Sequence, residues 1–181
     1  TAPALEEVSV ANSSSLSASG LDVSTFSGSV SSSADLTLSG TVEQAKLRAS
    51  SSADLDAKQL AATNLDLDVS SSADATAKVL GGKLTLEASS SADASLEATG
   101  SERIEISASS SADVEISGTC QALNVSASSS ADVSADDLKC VNGDILASSG
   151  GDVDAYISGK LEARASSGSD ITVRGNPESR D

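Results

Sequence analysis

Histidine, tryptophan and methionine are absent from these 181 residues, and Phe26 and Tyr156 are the only aromatics. Without histidine there is no Ser-His-Asp triad and no imidazole to move protons near neutral pH. Without aromatics an ordinary globular core lacks its bulkiest fillers, so an interior of Ala, Leu, Val and Ile has to be narrow and regular. Basic residues are scarce too: 11 Lys and Arg stand against 27 Asp and Glu, a net charge of −16. Binding to phosphate backbones needs clustered Lys and Arg, which excludes nucleic acid as a partner. No run of about 18 apolar residues exists, so no transmembrane helix is expected. No signal peptide is legible at Thr1-Ala2-Pro3, which reads as the start of a processed or trimmed chain. Abundant Ser, Asp and Gly with high charge also describe disordered chains; a hydrophobic content of 38% in strict alternation argues against that reading.

What the chain has is a repeat. Ser31-Ser32-Ser33-Ala34-Asp35 returns at Asp54, Asp74, Asp93, Asp113 and Asp132, then in worn form as Ser148-Ser149-Gly150-Gly151-Asp152 and Ser166-Ser167-Gly168-Ser169-Asp170. The Asp-to-Asp spacings are 19, 20, 19, 20, 19, 20 and 18, and Asn12-Ser13-Ser14-Ser15-Leu16 reads as an earlier worn copy. Within a copy the period is two: Leu84, Leu86, Ala88, Ser90, Ala92, Ala94, Leu96 and Ala98 share one face, which is strand and not helix periodicity. This projection puts the middle Ser of each triplet inside.

The columns match between copies. Seven residues before each Asp stand Leu47, Leu67, Leu86, Ile106, Val125 and Ile145; five before stand Ala49, Val69, Ala88, Ala108, Ala127 and Ala147. One size class per column is what stacked coils require, whereas an antiparallel sandwich has no such requirement. The expectation is an all-β parallel β-helix (β-solenoid) of about 8–9 coils of 19–20 residues. It forms a single domain over 1–181, with repeats over about 12–173 and a C-terminal tail at 174–181. Corners are expected at Ser39-Gly40, Gly81-Gly82, Ser117-Gly118 and Ser158-Gly159. Stacking sets Lys46 over Asp66 and Arg48 over Asp68, exposed pairs worth about 0.5 kcal/mol each and useful mainly as a check of register.

Two sets of residues are candidates for more than packing. The first is the acidic ladder Asp35, Asp54, Asp74, Asp93, Asp113, Asp132, Asp152 and Asp170. Aligned carboxylates repel by about 0.9 kcal/mol per pair at ~4.8 Å in water. The ladder reads either as a turn device, each carboxylate accepting backbone N–H bonds, or as a cation stripe. One carboxylate per rung supplies too few oxygens for a built Ca²⁺ site, so no cofactor is expected beyond weak Ca²⁺ association at the surface. The second set is Cys120 and Cys140, each 12 residues ahead of its Asp and therefore level on adjacent coils. Their Cα atoms then stand about 5 Å apart, within disulfide range; the alternatives are a bridge or two stacked thiols. Outward Ser rows such as Ser50 with Ser52 and Ser70 with Ser72 read as a solvated face or a flat hydroxyl array. The sequon Asn124-Val125-Ser126 is discounted because Val125 lies in an apolar column.

The repeats resemble a bacterial family, the putative auto-transporter adhesin head, GIN domain, whose members show tandem Ser/Gly-Ser-Ala/Gly-Asp turns followed by an alternating strand. The closing run Gly168-Ser169-Asp170-Ile171-Thr172-Val173-Arg174-Gly175-Asn176-Pro177 and the connector Ala135-Asp136-Asp137-Leu138-Lys139 fit its pattern. The resemblance covers roughly residues 5–177. It implies a right-handed single-stranded β-helix and an exported protein of the bacterial surface, outer membrane or periplasm, often lipid-anchored, here upstream of Thr1. It carries no catalytic residues. Triplets here are richer in Ser than the family's usual Gly.

Function is expected to be non-catalytic: an adhesin-like scaffold for an unknown protein or glycan ligand. The alternative is a structural module that self-associates through its open solenoid ends. A polysaccharide-acting enzyme is the remote alternative, since acids spread along a regular rod define no cleft.

Overall fold

The computed structural model describes residues 5–180, so the Thr1-Ala2-Pro3 start and the outer bounds of the expected domain lie outside the described residues. The elements are β1 (Glu7–Val10), β2 (Ser15–Ser31), β3 (Asp35–Ser50), β4 (Asp54–Ser70), β5 (Asp74–Leu80), β6 (Lys83–Ser89) and β7 (Asp93–Ser109). They continue with β8 (Asp113–Ser128), β9 (Asp132–Ser148), β10 (Asp152–Ile157), β11 (Lys160–Ser166), β12 (Ile171–Arg174) and β13 (Ser179–Arg180). All pairings are parallel and join successive coils, and there is no helix among the described residues. The fold is a β-solenoid of about 9 turns.

Register follows the repeat: Leu47 pairs with Leu67, Leu67 with Leu86, and so on through Ile106, Val125 and Ile145. These columns, with the Ala column beside them, are the core; Leu67, Leu84, Leu86, Ile104, Leu123 and Leu138 are wholly buried. Each fully buried Leu or Ile contributes roughly 1.5–3 kcal/mol through removal of its apolar surface from water.

The period-two pattern breaks at up to three places in each coil. In the coil starting at Asp54 the buried positions are 55, 57, 60, 62, 65, 67, 69 and 73, so the inward step lengthens after 57, 62 and 69. Those are the corners. At the serine corner the middle and last Ser of each triplet sit in the left-handed region, as at Ser51 (φ 59) and Ser52 (φ 58). The middle Ser is therefore exposed and not inward, as Ser90 shows. Two residues are spent turning the chain, and the alternation resumes in phase at the buried Ala only because two is even. The left-handed backbone costs a non-glycine residue about 1 kcal/mol. Backbone bonds between coils offset it: Ser33 N–H donates to the Ser51 carbonyl at 3.1 Å, Ser52 to Ser71 at 3.0 Å, and Ser72 to Ser90 at 3.0 Å. The corners are thus part of the ladder.

The 19-residue coils that begin at Asp35, Asp74 and Asp113 and the 18-residue coil at Asp152 all contain one of the expected Gly corners. Gly40 and Gly118 have φ of +135° and +120° and lie where the register slips against the coil before. A residue lost from the coil brings its backbone hard against the neighbour, a place only Gly can take.

The solenoid also extends past the repeats. β1 precedes the first serine triplet and pairs with β2, and Asn12 and Ser13 form its corner with φ of 60° and 55°. Within the expected tail, β13 pairs with β11.

Candidate functional site

The eight ladder aspartates follow the serine corners; six donate their backbone N–H to the Ala carbonyl of the preceding coil, as Asp54 does to Ala34 at 3.0 Å, while Asp35 donates to the Ser14 carbonyl and Asp170 to the Asp152 carboxylate. Register places Asp35, Asp54, Asp74, Asp93, Asp113, Asp132 and Asp152 one above another. The left-handed serines and the backbone ladder form the corners. Asp152 accepts a backbone N–H, from Asp170 at 2.9 Å, and Asp35 accepts the Ser15 hydroxyl at 2.7 Å. The stripe borders a shallow groove of about 730 Å³ lined by Asp74, Thr76, Asp93, Asp113, Glu115 and Asp132. Among the described residues no group of three or more His, Cys, Asp or Glu is arranged to hold a metal ion.

Two members of the ladder bind protons more tightly than usual. Partial burial, then the charges of Asp93 and Asp54 on either side, raise Asp74 above the ordinary carboxylate value of 3.8. Partial burial, then Asp113 and Asp152, raise Asp132 likewise. The folded state therefore holds protons that the unfolded chain has released, so this contribution to stability is complete below the ordinary carboxylate pKa and is lost as pH rises through the raised values. The expected outcome is a thermal midpoint that falls as pH rises above about 4 in dilute salt. The double variant Asp74→Asn, Asp132→Asn should melt higher at neutral pH and show a flatter profile. A profile unchanged in the double variant would show that the ladder does not set it.

A second surface is the face that leads into each serine corner. Here Lys46 meets Asp66 at 3.3 Å, Arg48 meets Asp68 at 3.6 Å and Lys83 meets Glu105 at 2.8 Å. Two shallow grooves run along it, one of about 640 Å³ beside Gln44, Lys46, Asn64 and Thr85 and one of about 520 Å³ beside Glu105, Ser107, Asn124, Ser126 and Arg164. In the second, Ser107, Asn124 and Ser126 stand among the charged residues Glu87, Glu105, Asp144 and Arg164. The Ser rows do not form a flat array: Ser50 and Ser70 end their strands, while Ser52 and Ser72 stand on the corner itself. Val125 is buried at the centre of the sequon.

Cys120 and Cys140 are register partners on adjacent coils and form a disulfide with Cα atoms 4.5 Å apart. Both are buried. Ser101 continues their column one coil earlier, fully buried and with no hydrogen-bond partner for its hydroxyl.

Asn64 and Asn142 escaped the sequence reading. Asn64 Oδ1 accepts the Lys83 N–H at 2.9 Å and its amide donates to the Glu43 carbonyl at 3.3 Å. Asn142 does the same with Lys160 at 3.3 Å and Gln121 at 3.5 Å. Each spans three coils where the next coil is cut short at Gly82 or Gly159. The signal available was an Asn in the same outward column one coil ahead of each Gly turn.

The family model described as "Putative auto-transporter adhesin, head GIN domain" matches residues 4–81 and 77–177. No curated protein and no solved structure matches the chain.

Proposed function

We propose, from the premise that this chain belongs to the family of the putative auto-transporter adhesin head, GIN domain, that it is a non-catalytic binding scaffold exported to the bacterial surface or envelope. The binding surface is the face leading into the serine corners. The observation that carries this is the character of that face. Groups from five or more successive coils line up in register across it, with exposed ion pairs at one end and hydroxyl and amide groups at Ser107, Asn124 and Ser126 towards the other. A rigid polar face of this kind suits an extended polar ligand that repeats along its length, such as a glycan chain. The Asp face is the poorer candidate, because its charge repels acidic surface polymers. Acids distributed along a rod, without histidine, support a role in binding over catalysis.

A glycan array probed with the 181-residue chain tests the reading. Specific binding is expected, and Ser107→Arg with Ser126→Arg should abolish it while Asp93→Asn leaves it unchanged. Absence of glycan binding, or binding indifferent to the two arginines, would count against this face. Cleavage of a bound polysaccharide would overturn the scaffold reading altogether.

A further inference from the structure

The two ends of the solenoid are complementary. At the first end β1 covers only residues 27–30 of β2, and among the described residues no strand lies under residues 15–18. At the other end β12 covers β10, and β13 covers only Lys160 and Leu161 of β11, leaving residues 162–166 without a strand above. One end is a half-coil step on one face, and the other is the matching step on the opposite face.

Register gives the match in residue terms. Following paired positions from Glu7 through Ser27, Lys46, Asp66, Thr85, Glu105, Asn124 and Asp144 leads to Glu162. Arg180 stands over Leu161, one column before Glu162. The path from Glu7 to Arg180 is therefore one column short of a whole number of coils, and Glu6, whose carbonyl accepts the Ser27 N–H at 2.8 Å, takes that same column, so a second copy seats on top once β13 of the lower copy gives up its place over Leu161.

We infer that copies of this chain stack head to tail, each continuing the solenoid of the last. In the junction Glu7, Val8, Ser9 and Val10 of one copy lie along Glu162, Ala163, Arg164 and Ala165 of the other. Ser15, Leu16, Ser17 and Ala18 lie along Asp170, Ile171, Thr172 and Val173. Apolar residues then meet apolar residues in every inward column: Val8 with Ala163, Val10 with Ala165, Leu16 with Ile171, and Ala18 with Val173. Leu16, 41% exposed in the single chain, becomes core. Two features suit the outward side. Ser15 occupies the ladder place where any other coil carries Asp, so Asp170 of the lower copy meets a hydroxyl there and not a carboxylate. Arg164, exposed beside Glu162, lies two columns from Glu7 and offsets the pairing of Glu7 with Glu162. A head-to-tail contact along one axis does not close on itself and yields open filaments. The charge of −16 per copy opposes assembly, so added salt should favour it.

Sedimentation of the 181-residue chain over a range of concentration and salt is the first measurement. Mean mass should pass that of a dimer without reaching a plateau, and rise with salt. Leu16→Asp and Ala165→Asp should each abolish this while leaving the far-UV spectrum and melting unchanged. Geometry is tested by cysteines. The native bridge joins register partners on adjacent coils, and Leu16→Cys with Ile171→Cys reproduces that relation across the junction. A mixture of the two single variants should give mixed covalent dimers, and the double variant a ladder of oligomers. Chains that stay single at all concentrations and salts, mixtures that give only like-with-like dimers, or double variants that stop at dimers would each overturn the inference.

Discussion

Gly118→Ala should be the most damaging single-methyl change in the molecule, costing about 3 kcal/mol or more. An added Cβ would lie 1.8 Å from the Ala98 carbonyl oxygen, on backbone whose φ is +120°. The neighbour is main chain locked into the ladder, so it cannot swing aside. Gly40 and Gly175 share the geometry, each 2.2 Å from a carbonyl of the previous coil, at Leu21 and Ile157. Gly20 supplies the control. Its φ is +70°, but nothing lies within 4 Å of a Cβ there, so Gly20→Ala should cost only the backbone preference, about 1 kcal/mol. Denaturant unfolding of the two variants separates collision from conformational preference. Equal midpoints would mean that the coils relax apart at Gly118 and that the tight approach is not required for stability.

Loss of the Cys120–Cys140 bridge ranks second. The bridge closes a loop with a sequence separation of 20, which the chain-entropy account values at about 3 kcal/mol. Cys120→Ala with Cys140→Ala should lower the denaturant midpoint accordingly, with a further loss from the space the sulfurs leave. Both cysteines are buried, at 3% and 1% exposure, so a reductant should act on the native protein only as fast as the coils open. Rapid reduction without unfolding, or a midpoint unchanged in the double variant, would contradict this placement.

Much of this architecture could be read in the residues because a solenoid writes its register into them. The column of Leu47, Leu67, Leu86, Ile106, Val125 and Ile145 is visible as spacing, and the pairs Lys46–Asp66 and Arg48–Asp68 follow from it. The reading failed where the chain turns. Alternation projected the middle Ser inward, because hydrophobic pattern holds no information about φ, and a left-handed Ser is locally unfavourable. It persists at Ser51 and Ser52 through hydrogen bonds to the adjoining coils, a cooperative cause invisible in any one repeat. Asn64 and Asn142 were missed for a related reason: their role is to fill a gap made by a residue deleted from the next coil. β1 was missed because Glu7–Val10 is too short to display a period and acquires its strand only by lying along β2.

The strand order has one more consequence. The chain enters at one end of the rod and leaves at the other, and the hydrogen bonds between coils run along the line joining those ends. A pull on the two ends therefore loads these bonds one rung at a time and does not shear a whole strand at once. The molecule should lengthen by peeling, each released coil of about 20 residues paying out roughly 70 Å of chain. The bridge between Cys120 and Cys140 withholds one such length while it is intact. Mechanically, the rod is a reel with a single stop, compliant under tension along its axis and able to rewind by the same register that built it.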